Sequence, residues 1–256
     1  MAAIVVAAIL VPATASASNI QVGVTPSPLI SPTCPPGVSS ANCTIVLAQV
    51  TAYETLRDGV VNPTRITQSG VISAFSIGLA GTNTITAADI KYLNKSYGGP
   101  AEAELTILRP TGTASKPAYR VAAASPVFKL QPQFGQVAEF PLVTPLPVVR
   151  GEIVALTIPT WAPVLSFDLD TTKFSYSQSR TKTTTSAGAS TCNSSAGANL
   201  AQVLIGQLSN YTCGYAGTRV EYSALEITTP PGFSAEARRH ARRHAHHARR
   251  RRGRIA

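Results

Sequence analysis

Apolar and β-branched residues come in short runs along this chain, and Gly, Pro and Asn interrupt them every ~8–15 residues, the texture of strands joined by turns. Alternation is clearest in Val71, Ser73, Phe75, Ile77 and Leu79, which a regular strand places on one face. It recurs in Val220, Tyr222, Ala224 and Leu225, where the adjacent pair Ala224 and Leu225 breaks the period of two and points to a β-bulge. Strands are expected at 44–51, 71–80, 103–109, 119–123, 127–130, 137–142, 152–158, 164–168, 173–177, 203–208 and 219–228. Ten prolines between Pro100 and Pro163 exclude long helices there, and only 87–91 reads as a helical turn. The pattern predicts an all-β chain, a single antiparallel β-sandwich of jelly-roll type.

Both ends depart from this texture. Residues 2–11 are an unbroken apolar run, followed by A-x-A patterns at 13–15 and 15–17. That is the apolar region and exit of a signal peptide, expected to cover 1–17. It is too short for a bilayer span, which takes about 20 apolar residues. No Lys or Arg precedes the run, so the alternatives are a start further upstream or a buried N-terminal strand. A Pro- and Ser-rich lead-in is expected at 18–42, the sandwich at 43–230, and a disordered Arg/His-rich tail at 231–256. The polar stretch 179–199 reads as an exposed loop inside the domain.

Composition sharpens the compartment. Only 13% of residues are charged, against about 25% in ordinary globular chains, and Thr, Ser, Gly and Pro fill the gap. A hydroxyl-rich surface of this kind suits a secreted or cell-surface β protein. The four cysteines, Cys34, Cys43, Cys192 and Cys213, contain no C-x-x-C, which favours disulfides over zinc or thioredoxin-type chemistry. Proximity in sequence favours Cys34 with Cys43 and Cys192 with Cys213, although other pairings are open. The competing reading is four reduced thiols in a cytosolic protein.

Four segments in series, SGVISAFSIGLAG at 69–81, AELTILRPTG at 103–112, LPVVRGEIVALTIP at 146–159 and RVEYSALEIT at 219–228, carry a resemblance. Together they resemble uncharacterised secreted β-sandwich proteins of actinobacteria, in which a strand ending in L-R-P precedes an L-P-V-x-x-G-[DE] entry to the next. The V-x-x-G-E-I-V-A-L pattern is also similar to carbohydrate-binding and other jelly-roll accessory modules. The resemblance spans 44–228 and implies a fold. It transfers no site residue, and fold alone does not define function.

Candidate chemistry is limited by one fact: no histidine precedes His240. A Ser-His-Asp or Cys-His arrangement, or a His-ligated zinc, would need its histidine from a flexible tail that cannot hold geometry. No P-loop, G-x-G-x-x-G or G-x-S-x-G is present. Paired carboxylates remain: Asp168 with Asp170, and Glu102 with Glu104, would each share a strand face. They read as an acid/base pair or calcium site, or as a solvated strand face, and the spacing favours the latter. Trp161, the single tryptophan, and Tyr176 are the candidate glycan-stacking aromatics, with Tyr53, Tyr92 and Tyr97 in support. The competing reading places Trp161 in the core. No cofactor and no metal site is expected.

The net charge of +10 is unevenly placed: residues 235–256 carry +8 and the rest of the chain +2. Arg238, Arg239, Arg242, Arg243, Arg249, Arg250, Arg251, Arg252 and Arg254, interspersed with all four histidines, form a candidate polyanion-binding arm. The alternative is a solubilising tail with no ligand. The expected protein is a secreted, non-enzymatic surface protein held by this arm to a cell-wall polymer, nucleic acid or acidic polysaccharide. The second reading is a carbohydrate-binding module, and the third a glycan hydrolase using paired carboxylates.

Overall fold

Two antiparallel sheets of unequal width face each other in the computed structural model, which describes residues 17–38, 42–184, 190–192 and 199–229. Residues 1–16 of the signal peptide expected at 1–17 and the arginine arm, Arg238 to Arg254, lie outside the described residues. The small sheet has the order β1 (Asn19–Val22), β17 (Tyr222–Thr228), β4 (Gly70–Gly78), β8 (Val137–Val148). The large sheet has the order β14 (Leu208–Asn210), β6 (Ala118–Ala124), β5 (Glu102–Pro110), β9 (Ile153–Ala162), β2 (Leu47–Arg57), β11 (Ser175–Gln178), β15 (Cys213–Ala216). Short β3 (Val60–Val61) pairs with β2, and β7 (Phe128–Lys129) with β5. Two further pairs stand apart: β10 (Leu165–Ser166) with β16 (Arg219–Val220), and β12 (Lys182–Thr184) with β13 (Ser190–Cys192).

The main strands alternate between sheets along the chain. The path runs β1, β2, β4, β5, then β6 beside β5, then β8, β9 and β17, which is the double Greek key of a jelly roll. The all-β sandwich expected from the pattern is therefore present. Strand β1 belongs to the small sheet although it lies in the stretch expected to be lead-in: Asn19 to Val22 pair with Ile227 to Ala224. Strand β8 runs on across Pro141, Pro145 and Pro147, because it is the edge of its sheet and proline removes a donor that no neighbour needs. The expected strand at 203–208 contributes only its last residue, to β14.

Register shifts move the faces. The bulge expected near Ala224 and Leu225 falls between Leu225 and Glu226. A second shift lies in β4 between Ile72 and Ala74, so Ile72 joins Phe75, Ile77 and Leu79 in the core. Val71 and Ser73, expected on that face, are half-buried on the other. Phe75 stacks on Phe140 at 5.2 Å, and Phe128 closes the group edge-on at 5.4 and 5.2 Å. The one α-helix among the described residues, α1 (Ala87–Ser96), is twice the expected turn. Thr86 and Asp89 form a capping box, satisfying two otherwise orphaned N–H groups and letting the helix continue.

Both faces of the large sheet are covered, which is why β9 is buried almost throughout and shows no alternation. The outer face carries a hydroxyl chain, Thr51 to Thr157 at 2.7 Å and Thr157 to Thr106 at 2.6 Å, roofed by the Gln202 N–H on Thr51 Oγ1 at 2.9 Å. Glu104 lies on this face, 4% exposed, with Oε1 lacking a partner among the described residues. Burial pushes its carboxyl up to about 7. Between the ordinary carboxyl range and pH 7 this group holds a proton in the folded chain that the unfolded chain has released, so its contribution to stability falls as pH rises through this window. The drop should reach about 3 kcal/mol. Denaturant titrations of wild type and Glu104→Gln at pH 4 and pH 8 check this: the pH dependence should shrink by that amount in the variant.

The lead-in is fastened over a buried ionic group. Arg219 pairs with Glu221 at 3.0 Å, both essentially inaccessible, and donates to the carbonyls of Ser27 and Pro28. Arg57 donates to the carbonyls of Tyr222 and Ser27. Asp58 accepts from the hydroxyls of Thr25 and Ser27 and from the Ser27 N–H. Beyond these contacts the Cys34–Cys43 disulfide closes the segment, with Cα atoms 5.5 Å apart.

Candidate functional site

The aromatic and acidic residues singled out by the sequence do not share one site. Trp161 sits in β9 fully buried, packed edge-on against Phe134 at 5.8 Å. Its indole N–H is shared between Asn94 Oδ1 at 3.0 Å and the Gly99 carbonyl at 3.2 Å, which ties the C-terminal end of α1 to the large sheet. Stacking of a sugar on Trp161 is therefore excluded, because neither ring face reaches solvent. Asp168 and Asp170 lie in a turn, not on a strand, and Asp170 is spent on capping Thr172 and pairing with Lys173 at 3.8 Å. Glu104 is buried, which corrects the solvated-face reading for that residue.

A cleft of about 400 Å³ opens on the inner face of the large sheet, where β11 and β15 extend past the narrower small sheet. Its centre is a pair of parallel rings, Tyr176 and Tyr215, 5.1 Å apart and 14° from coplanar. Tyr176 is 4% exposed and does not offer its face to solvent. It backs Tyr215, which is half-buried and lines the opening together with Phe167, Tyr97 and Arg180. Gln178 Nε2 donates to the Tyr215 hydroxyl at 2.9 Å and sets the ring's rotation. Burial raises the Tyr215 phenol above its ordinary range, so it stays a neutral donor at physiological pH. The Cys192–Cys213 disulfide, Cα atoms 5.6 Å apart, ties the insertion to β15 beside this cleft, and Cys192 itself contributes to the wall. Both disulfides match the pairing that proximity favours.

A second cleft, of about 660 Å³, lies on the outer face of the same sheet. Tyr53, Tyr119 and Tyr211 form its floor, with ring centroids 5.1–5.6 Å apart. The Tyr53 and Tyr119 hydroxyls bond each other at 2.9 Å, and Tyr211 donates to the buried Gln202. Arg65 and Lys182 stand on the walls. Among the described residues no carboxylate lines either cleft. Among the described residues no three His, Cys, Asp or Glu side chains gather as metal ligands.

Sequence reasoning missed Tyr215, Phe167 and Arg180. The available signal was the CGYA strand ended by Gly217 opposite an S-Y-S-Q strand, which places Tyr215 directly across from Tyr176. Comparison with protein-family models, with curated proteins and with solved structures returns no match.

Proposed function

We propose that this chain is an exported, non-catalytic binding protein whose body takes a glycan in the Tyr215 cleft and whose arginine arm holds an anionic polymer. The observation that carries the reading is the Tyr176–Tyr215 stack beside Phe167 and Tyr97 in a cleft without any acid. A ring held flat by a second ring keeps one π face free, and the C–H-rich face of a pyranose packs against such a negative face. Gln178 and Arg180 add polar groups to the lining, the usual mixture in a ligand pocket. Glycoside hydrolysis needs two carboxyl groups flanking the bond, and the cleft offers none. Two disulfides suit an oxidising compartment. Among the described residues no helix is long and apolar enough to cross a membrane.

Glycan-array binding followed by calorimetry tests the reading. Tyr215→Ala should weaken the best glycan about tenfold or more, equivalent to about 1.4 kcal/mol. Binding to teichoic acid should fall steeply with salt and vanish on deleting 235–256, while glycan binding survives. Equal glycan binding by wild type and Tyr215→Ala would sink the cleft, and polymer binding that survives the deletion would sink the arm.

A further inference from the structure

We infer that the outer cleft, floored by Tyr53, Tyr119 and Tyr211, is a second binding site, for a sugar unit bearing an oxyanion such as a uronate or a sulfated sugar. It goes beyond the Tyr215 cleft and is independent of it, since the two open on opposite faces of the large sheet: Tyr176 and Gln178 point inward, and Ser177 between them points outward beside Tyr53.

Three features set the ligand's chemistry. The first is an unused donor. Tyr53 and Tyr119 are 4% and 8% exposed, and the bond between their hydroxyls consumes only one of their two hydrogens. Among the described residues no acceptor takes the other hydrogen, and both rings border the cavity. A buried donor without an acceptor is costly, so a ligand oxygen placed there is rewarded. Burial holds the Tyr53 phenol far above its ordinary range, which keeps that proton in place.

The second feature is charge. Arg65 and Lys182 line the cavity, and among the described residues neither is in an ion pair and no carboxylate shares the lining with them. Arg65 is close enough for its charge to act on the Tyr53 phenol. Two cations facing a hydroxyl floor select an oxyanion on a polar body. The third feature is shape. About 660 Å³, walled in part by the hairpin around Thr113 and Lys116, accommodates one or two sugar rings, far more than a lone inorganic anion.

The test is heteronuclear NMR on the full chain, titrated with a sulfated uronate disaccharide and, separately, with a neutral disaccharide. Saturable shifts at Tyr53, Tyr119, Tyr211 and Arg65 are expected with the acidic sugar only. Arg65→Gln with Lys182→Gln, both exposed positions whose replacement leaves the core intact, should weaken binding about tenfold or more. Tyr53→Phe should weaken it several-fold while Tyr215→Ala leaves it unchanged. Shifts confined to 235–256, equal binding of the neutral disaccharide, or undiminished affinity in the double variant would each overturn the assignment.

Discussion

Replacing Arg219 by Met should lower stability by about 3–5 kcal/mol, one of the two largest effects expected from a single change in this chain. The reason is what the substitution leaves behind. Glu221 is fully buried and loses the guanidinium 3.0 Å away, keeping among the described residues the Ser166 hydroxyl at 2.7 Å, a long contact from the Ile30 N–H and the more distant charge of Arg57. The carbonyls of Ser27 and Pro28 lose a donor in the same step. Removing one member of a buried pair costs more than the pair contributes, because the survivor keeps its desolvation penalty. Urea titration of wild type, Arg219→Met, Glu221→Gln and the double variant measures this. The double variant should recover a large part of the loss. A destabilisation below about 1 kcal/mol in Arg219→Met would mean that the pair behaves as a surface pair. Limited proteolysis adds a structural readout, since the freed lead-in at 25–30 should become cleavable before the sandwich unfolds.

This ionic group marks where legibility from sequence ends. Hydrophobic period and turn residues located most strands, because a strand with one wet face must alternate, as β8 does from Val137 to Val148. The period fails where the second face is also covered. Glu54, Arg57, Glu104 and Thr157 all sit in covered strands, and a polar residue there looks in sequence like a solvated one. Covering depends on residues 199–212 returning over the outer face and on 25–30 crossing the ionic group, contacts separated by up to 192 positions. The candidate site suffered for the same reason. Tyr176 was legible as an aromatic, but its use as the backing of Tyr215 depends on the pairing of β11 with β15 across the polar insertion. The jelly roll was legible as a class, and β11 fell in the expected strand at 173–177; β15, which with β11 makes the inner cleft, was not separable from loop texture.

Trp161→Ala should cost a further 3–5 kcal/mol, approximately the range for a buried aromatic truncated in a close-packed core. The indole is fully buried where α1 meets the large sheet, within the main core. Asn94 Oδ1 and the Gly99 carbonyl would lose the N–H that joins them to β9. For a chain of this size the melting temperature should fall by roughly 8–15 °C. Trp161→Phe, which keeps most of the volume but not the donor, should lose less. The substitution also separates core from ligand roles. Trp161 touches no cleft, yet Tyr97 caps α1 and lines the inner one, so a helix loosened from the sheet carries Tyr97 with it. Glycan affinity in the folded Trp161→Ala variant should therefore drop modestly, and less than in Tyr215→Ala, while hydrogen exchange quickens along 87–97. A loss equal to that of Tyr215→Ala with α1 still protected would place the tryptophan in the binding surface after all.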